Sequence, residues 1–129
     1  MWKKPYCPRH FTDSQRRLFD VIVTDWQLGP GDSEMEYVRL ACEAQGTLDL
    51  AQAELDRVGS LTFLDRFEQP RERPEVAVIT RCRGQIARMV KMVGESKQAY
   101  ERAALAVQAA ERRAEAGPSG RRGGGRRYN

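Results

Sequence analysis

Apolar residues recur at helical spacing in three segments of the chain, and turn-forming residues separate these segments. In the first segment, the apolar residues that share one helical face are Leu18, Phe19, Ile22 and Trp26. Thr12 to Gln15 precede them with the spacing of a capping box, in which the two end residues bond each other's backbone. Leu28 to Gly31 should end this helix, because the run contains a proline and two glycines.

The second segment predicts a longer helix that begins at another capping-box pattern, Ser33 to Glu36. Its apolar positions are Tyr37, Ala41, Ala44, Leu48, Ala51, Leu55 and Val58. The spacings alternate between four and three residues, which places these positions in one stripe. Gly59 should end the helix, because glycine readily takes the left-handed conformation found there.

The third helix should begin at Pro74, since proline suits a first helical turn. Its large residues recur every seven positions, at Ile79, Ile86, Val93, Tyr100 and Val107. A weaker second column follows three residues after each, which completes a heptad pattern. We expect the first half to lie in a core. The second half should continue to about Ala116 as a more exposed helix or coiled coil, and Gly94 is a candidate for a kink between the halves.

Residues 60–73 connect the two long helices. Leu61 to Leu64 is a short apolar and β-branched run, and turn-forming residues follow it. We interpret the segment as a small β-hairpin, with Gly59 and Pro74 as its helix caps and with Phe63 and Phe67 as its aromatic residues. The alternative is an ordinary loop that exposes both phenylalanines.

The predicted fold is therefore mainly all-α: a short N-terminal helix, then two long helices joined by the hairpin, and an extended C-terminal helix. We divide the chain into an irregular basic arm (1–11), a helical oligomerisation domain (12–116) and a disordered Gly/Arg tail (117–129). A helix from Pro74 to Ala116 would be ~60 Å long, whereas a compact domain of this length has a radius of gyration of only ~14 Å. We therefore expect a homo-oligomer with an interface formed by Tyr37, Leu48, Leu55, Ile79, Ile86, Val93 and Tyr100.

Composition narrows the class of protein. The chain has 129 residues, of which 40% are hydrophobic and 31% charged, as in a helix-rich domain. No apolar run approaches the ~20 residues that span a bilayer, and the N-terminus lacks the apolar core of a signal peptide. We expect a cytoplasmic protein without a membrane partner.

The ends of the chain are basic. Seven of the 22 cations lie there, and all 18 acids lie between them, which leaves residues 11–116 with a net charge of −3. This distribution favours a polyanionic partner, while a merely solubilising tail is the alternative. For double-stranded DNA, the candidate phosphate contacts are Lys3, Lys4, Arg9, Arg16, Arg17, Arg121, Arg122, Arg126 and Arg127.

The sequence offers little for catalysis. His10 is the single histidine, and Cys7 to His10 has only half of the spacing of a zinc site. We therefore predict no metal and no cofactor. A nucleophile would need an ordered base, and no phosphate-binding glycine loop lies between a strand and a helix. We expect a protein that is not an enzyme.

The hairpin and the segments beside it resemble the phage terminase small subunit family. In that family a helix ends in glycine, a short hairpin follows, and a proline opens a helix with a Gln/Ala-Arg-hydrophobic pattern. The matching residues are Gly59, Pro70, Pro74, Gln85, Ala87 and Arg88. Trp26 and the helix of Tyr37 fit the N-terminal half of the family, so the resemblance covers roughly residues 15–94.

The resemblance implies a role in DNA packaging. Such small subunits form closed rings, recognise the start of packaging on viral DNA, and deliver it to a large subunit that carries the ATPase and nuclease. This chain departs from the family at Glu68, where many relatives have a turn glycine. It also departs after Gly94, where many relatives end soon and this chain adds a helix and an arginine tail.

Two alternatives come from other functional classes. One is a coiled-coil scaffold that does not bind DNA. The other is a small regulator that uses its first two helices as a helix-turn-helix, although acidic residues would face phosphates poorly there. These acidic residues are Glu34, Glu36, Glu43 and Asp49.

Overall fold

The computed structural model describes residues 1–126, with side chains for residues 1–116. Helix α1 spans Asp13–Trp26 and α2 spans Met35–Val58. Strands β1 (Thr62–Leu64) and β2 (Pro70–Glu72) form the hairpin, and α3 spans Pro74–Arg126. The prediction of a mainly helical fold with three helices and an antiparallel hairpin is confirmed.

The chain divides into two units, Met1–Glu95 and Ser96–Asn129, so the division falls within α3. The helix is described to Arg126, beyond its predicted end near Ala116. The predicted disorder of residues 117–129 stays a prediction. No helix within the described residues is both long and apolar enough to cross a membrane.

The predicted capping box starts α1. The Gln15 N–H donates to Thr12 Oγ1 at 3.3 Å, and the Thr12 N–H donates to Gln15 Oε1 at 2.8 Å. The other half of the Gln15 carboxamide leaves its own helix, because Nε2 donates to the Cys42 carbonyl in α2 at 2.9 Å. One side chain thus caps α1 and attaches it to α2.

The second predicted capping box is wrong. Helix α2 begins at Met35, and its N-cap residue is Glu34, which has helical backbone angles and makes no side-chain cap bond. The Glu36 carboxylate pairs with Arg39 one turn further along the helix and does not turn back toward Ser33. At the other end the prediction holds: Gly59 has a φ of 71° and donates its N–H to the Leu55 carbonyl at 2.8 Å.

The main core lies where α1 packs on α2. Its buried side chains are Phe11, Phe19, Ile22, Val23, Leu28, Val38, Ala41, Cys42 and Val93. Val93 is the contribution of α3, and Trp26, Met89 and Val90 pack around it. A second cluster joins the C-terminal half of α2 to the start of α3 through Ala51, Leu55 and Ile79.

Two glycines allow α1 to approach the long helices closely. A Cβ at Gly46 would lie 2.5 Å from Gln15 Nε2, and one at Gly94 would lie 2.9 Å from Trp26 Cζ2. Such distances are too short for a real Cβ. Gly94 is also buried, and α3 runs on through it. The structure therefore gives Gly94 a packing role against Trp26.

The hairpin is held by its turn. Thr62 faces Glu72 and Leu64 faces Pro70 in antiparallel register. Asp65 organises the turn, since its Oδ1 accepts the N–H groups of Phe67 at 2.8 Å and Gln69 at 3.0 Å. The Glu68 N–H donates to the Asp65 carbonyl at 2.9 Å, and Glu68 has a φ of 60°. This is a turn followed by a left-handed residue, a position that favours glycine.

We predict that Gly94→Ala lowers the stability of the protein. Alanine adds about 1 kcal/mol of helix propensity, but a methyl group forced against the Trp26 ring costs about 1–3 kcal/mol. The net loss should be on the order of 1 kcal/mol, measured by urea denaturation with tryptophan fluorescence. Gly84→Ala is the matched control in the same helix, because no atom lies within 4 Å of its added Cβ. A variant as stable as this control would contradict the close packing.

We also predict that acid loosens the hairpin turn. The hydrogen bond from the Gln69 N–H is the largest cause that lowers the pKa of Asp65, followed by the bond from the Arg71 side chain. The folded pKa is thus below the unfolded value of about 3.9. The stabilisation is complete above that value and is lost as pH falls through the lower folded pKa.

Nuclear magnetic resonance of the Phe67 and Gln69 amides against pH measures this transition. Asp65→Asn is the control and should abolish the pH response of both amides in this range. A carboxyl of Asp65 that titrates at its ordinary pKa would contradict the assignment of these bonds.

Candidate functional site

The N-terminal arm is attached to the helical core, and this changes the role of two predicted DNA contacts. The Trp2 indole N–H donates to the Leu28 carbonyl at 2.9 Å. Arg16 donates to the carbonyls of Phe11 at 3.2 Å and Arg9 at 2.9 Å. Lys4 forms an ion pair with Asp20 at 2.7 Å. Arg16 and Lys4 therefore fasten the arm to α1.

The other predicted DNA contacts of this region are exposed. They are Lys3, Arg9 and Arg17. Of the tail residues, Arg121, Arg122 and Arg126 lie in the part of α3 whose side chains are not described, and Arg127 lies outside the described residues. Their contact with phosphate stays a prediction.

The predicted interface residues fall into two groups. Leu55, Ile79 and Val93 are buried inside the first unit, and they therefore already have packing partners within one chain. Tyr37, Leu48 and Ile86 are half-buried. Tyr100 differs from all of these, since 70% of it is exposed.

Sequence reasoning missed a basic stretch of α3. Residues 76–94 contain no aspartate or glutamate, and they carry Arg81, Arg83, Arg88 and Lys91. All four side chains are exposed. The net charge of residues 11–116 concealed this stretch, because acidic residues elsewhere in this range, including those of α2, outweigh its four cations. Counting charge helix by helix would have found it.

A groove of about 840 Å³ lies between the start of α1, α2 and α3. Phe11, Ala44 and Met89 contribute apolar surface, and Leu40 and Leu50 are exposed at its edge. Its charged rim contains Glu43 and Asp49 from α2 and Arg88 from α3. The Glu43 carboxylate is paired with Arg39, and Asp49 accepts a hydrogen bond from Gln45. The groove can take an apolar segment, but its carboxylates are already bound to neighbours.

In the hairpin, arginine guanidinium groups lie over the partly exposed rings of Phe63 and Phe67. The Arg66 guanidinium lies 4.9 Å from the centre of the Phe67 ring, and that of Arg73 lies 5.9 Å from the centre of the Phe63 ring. Phe67 is 66% exposed. Such cation–π pairs keep the rings ordered while leaving them accessible to a partner.

The described side chains do not assemble a metal-binding cluster. Among them, no cluster of three or more histidine, cysteine or acidic residues is close enough to hold a metal ion. All three cysteines are unpaired. Burial raises the pKa of the Cys42 thiol to about 12, and burial also raises the pKa of Cys7. Both thiols are therefore protonated and weakly nucleophilic near neutral pH.

The geometry thus gives four surfaces: the N-terminal arm, the basic stretch of α3, the groove and the hairpin. Each is open to solvent and is therefore accessible to a macromolecular partner. No protein-family model, curated protein or solved structure matches the chain.

Proposed function

We propose that this protein acts as a terminase small subunit. In this role it is the non-catalytic DNA-recognition and regulatory component of a viral genome-packaging motor in the host-cell cytoplasm. It forms a closed ring of identical subunits, binds the DNA at which packaging starts, and delivers it to the large terminase subunit, which carries the ATPase and nuclease.

The observation that carries this proposal is the backbone between the long helices. Gly59 ends α2 in a left-handed conformation, the hairpin follows, and Pro74 opens α3. This is the order of elements that the resemblance implies. Glu68 adds support, since its φ of 60° is the conformation for which glycine is preferred. The residue departs from the family pattern, but its backbone conformation is one that glycine readily adopts.

The charged surfaces support DNA as the partner. The exposed cations of the arm and the acid-free stretch of α3 can neutralise phosphates, which supplies affinity without reading sequence. The acidic start of α2 is less suited to a groove of DNA, because Glu36 and Glu43 flank Arg39 there and both pair with it. This charge pattern favours the packaging role over a helix-turn-helix regulator that reads DNA with α2.

One observation favours the scaffold alternative. Residues 96–116 expose Tyr100, Leu105 and Val107, which is more apolar surface than a solvated helix needs. A second copy can cover these residues whether or not the protein binds DNA. Self-association is therefore common to both proposals, and DNA binding separates them.

We predict that the protein forms a closed homo-oligomer larger than a dimer, measured by light scattering after gel filtration. Tyr100→Glu should lower the mass without reducing helix content, because Tyr100 is 70% exposed in a single chain and its loss does not disturb the core. Gln98→Glu is the matched control, with the same added charge two residues away. A wild-type monomer at micromolar concentration would contradict the ring.

The DNA role is tested separately by fluorescence anisotropy with duplex DNA. We expect binding that weakens steeply with salt, and a changed ATPase rate when the protein is added to its large subunit. An assembled oligomer that leaves duplex DNA unbound at low salt would leave the scaffold as the better explanation.

A further inference from the structure

Three of the four cations in the basic stretch of α3 lie on the side opposite to the core, whereas Arg83 borders a small pocket with Leu55 and Ile79. Ile79, Cys82 and Val93 are buried, whereas Arg81, Gly84 and Arg88 are exposed. At 100° per residue, Arg81 and Arg88 lie within about 20° of each other and about 10 Å apart along the helix axis. Gly84 lies between them. We call Arg81, Gly84, Gln85, Arg88 and Lys91 the α3 outer face.

The glycine of this face has no role in the fold. Among residues 1–116, three glycines lie inside helices, at positions 46, 84 and 94. Gly46 and Gly94 are required by Gln15 and Trp26, as described above. A Cβ at Gly84 would meet no atom within 4 Å. A glycine in an exposed helix interior makes the helix less stable than alanine would, so Gly84 weakens α3 without any compensating contact in the chain.

We infer that the α3 outer face is a binding site for the phosphate backbone of duplex DNA, and that Gly84 allows this backbone to approach the helix closely. The inference rests on the proposed function and names where DNA is held. Arg81 and Arg88 reach phosphates on either side of the glycine, while the missing side chain at Gly84 leaves space for the strand between them.

Charge identifies the occupant as a polyanion. Arg81 and Arg88 make no ion pair with any described residue, and Lys91 has only a loose pair with Glu95 at 3.8 Å. Gln85 and Arg88 also line the groove together with Glu43 and Asp49 of α2, and both of these carboxylates are already bound to neighbours. The strand passes over Gly84 between Arg81 and Arg88, and Lys91 lies further along the same face. A backbone with one charge per phosphate fits a face on which three cations outnumber the one acid, Glu95.

The sharpest test uses Gly84→Ala and Gly84→Leu, because stability and affinity should change in opposite directions. Both variants fill open space and improve helix propensity, so the melting temperature should rise, by roughly 4 °C for alanine. The affinity for duplex DNA should fall several-fold for alanine and further for leucine. If Gly84 served only the fold, replacing it would not give a more stable protein that binds DNA more weakly.

A second test uses charge. Arg81→Gln with Arg88→Gln should reduce the slope of log K against log salt by about 1.8, since each phosphate contact contributes about 0.9. Arg39→Gln with Arg57→Gln is the charge-matched control, because these arginines are paired with glutamates of α2. The control should reduce the slope by less than half as much as the first pair does.

The outcomes distinguish this inference from the proposed function. Wild-type protein that does not bind DNA overturns both. Wild-type binding that is unchanged by the Gly84 and the Arg81/Arg88 variants overturns only the α3 outer face and leaves the proposed function in place. Variants that lower the oligomer mass in light scattering, with DNA affinity unchanged, would instead assign this face to a neighbouring copy. If both arginine pairs change the slope equally, the effect comes from net charge alone, and the proposed site is overturned.

Discussion

The close approach of α1 to both long helices is the contact on which the first unit depends. At one end, Gln15 crosses over Gly46 to reach the Cys42 carbonyl. At the other end, Trp26 lies against Gly94. A Cβ at either glycine would crowd the α1 side chain beside it, so these two contacts define how closely α1 lies on the long helices. The buried cluster around Val23 and Val38 then fills the space that these two contacts define.

The hairpin, in contrast, is stabilised by local hydrogen bonds and an ion pair, and not by burial of its side chains. Asp65 accepts two backbone N–H groups and pairs with Arg71, so the turn is satisfied within a few residues. Neither strand is buried, and the apolar residues of the hairpin remain on the surface. A small sheet of this kind is marginal by itself. Its attachment between Gly59 and Pro74, the capped ends of two packed helices, holds it in place.

Local patterns predicted local structure well, and failed where a competing partner lay nearby. Thr12 to Gln15 formed the capping box because the Gln15 carboxamide serves two partners at once: its Oε1 accepts the Thr12 N–H while its Nε2 donates to Cys42. Ser33 to Glu36 has the same spacing, but Arg39 lies within reach of the Glu36 carboxylate and an ion pair replaces the cap. The sequence contained this information, since Glu36 and Arg39 are three residues apart on one helical face.

Contacts between distant segments were harder to predict. The periodicity of a segment shows which helical face is apolar, but it does not show which other segment covers that face. The stripe of α2 and the first half of the α3 heptads were assigned to an interface between copies. Leu55 and Ile79 pack on each other within one chain, so part of that stripe is core. Tyr100, by contrast, is 70% exposed. The basic stretch of α3 was missed for a related reason: charge summed over residues 11–116 averaged an acidic α2 with an acid-free part of α3.

Under the proposed DNA role, the α3 outer face is better suited than the arginines near the C-terminus to set the position of the duplex. The side of α3 opposite to this face is fixed by Ile79 and Val93, whose burial is complete or nearly so. Side chains on a packed helix lose less conformational freedom on binding than cations on a glycine-rich segment. The tail can add affinity on any sequence, whereas a face held by the core also sets the orientation of the duplex. Gly84 fits the same proposal. Its missing side chain does not help the fold, but it leaves space for a DNA strand that passes close to the helix.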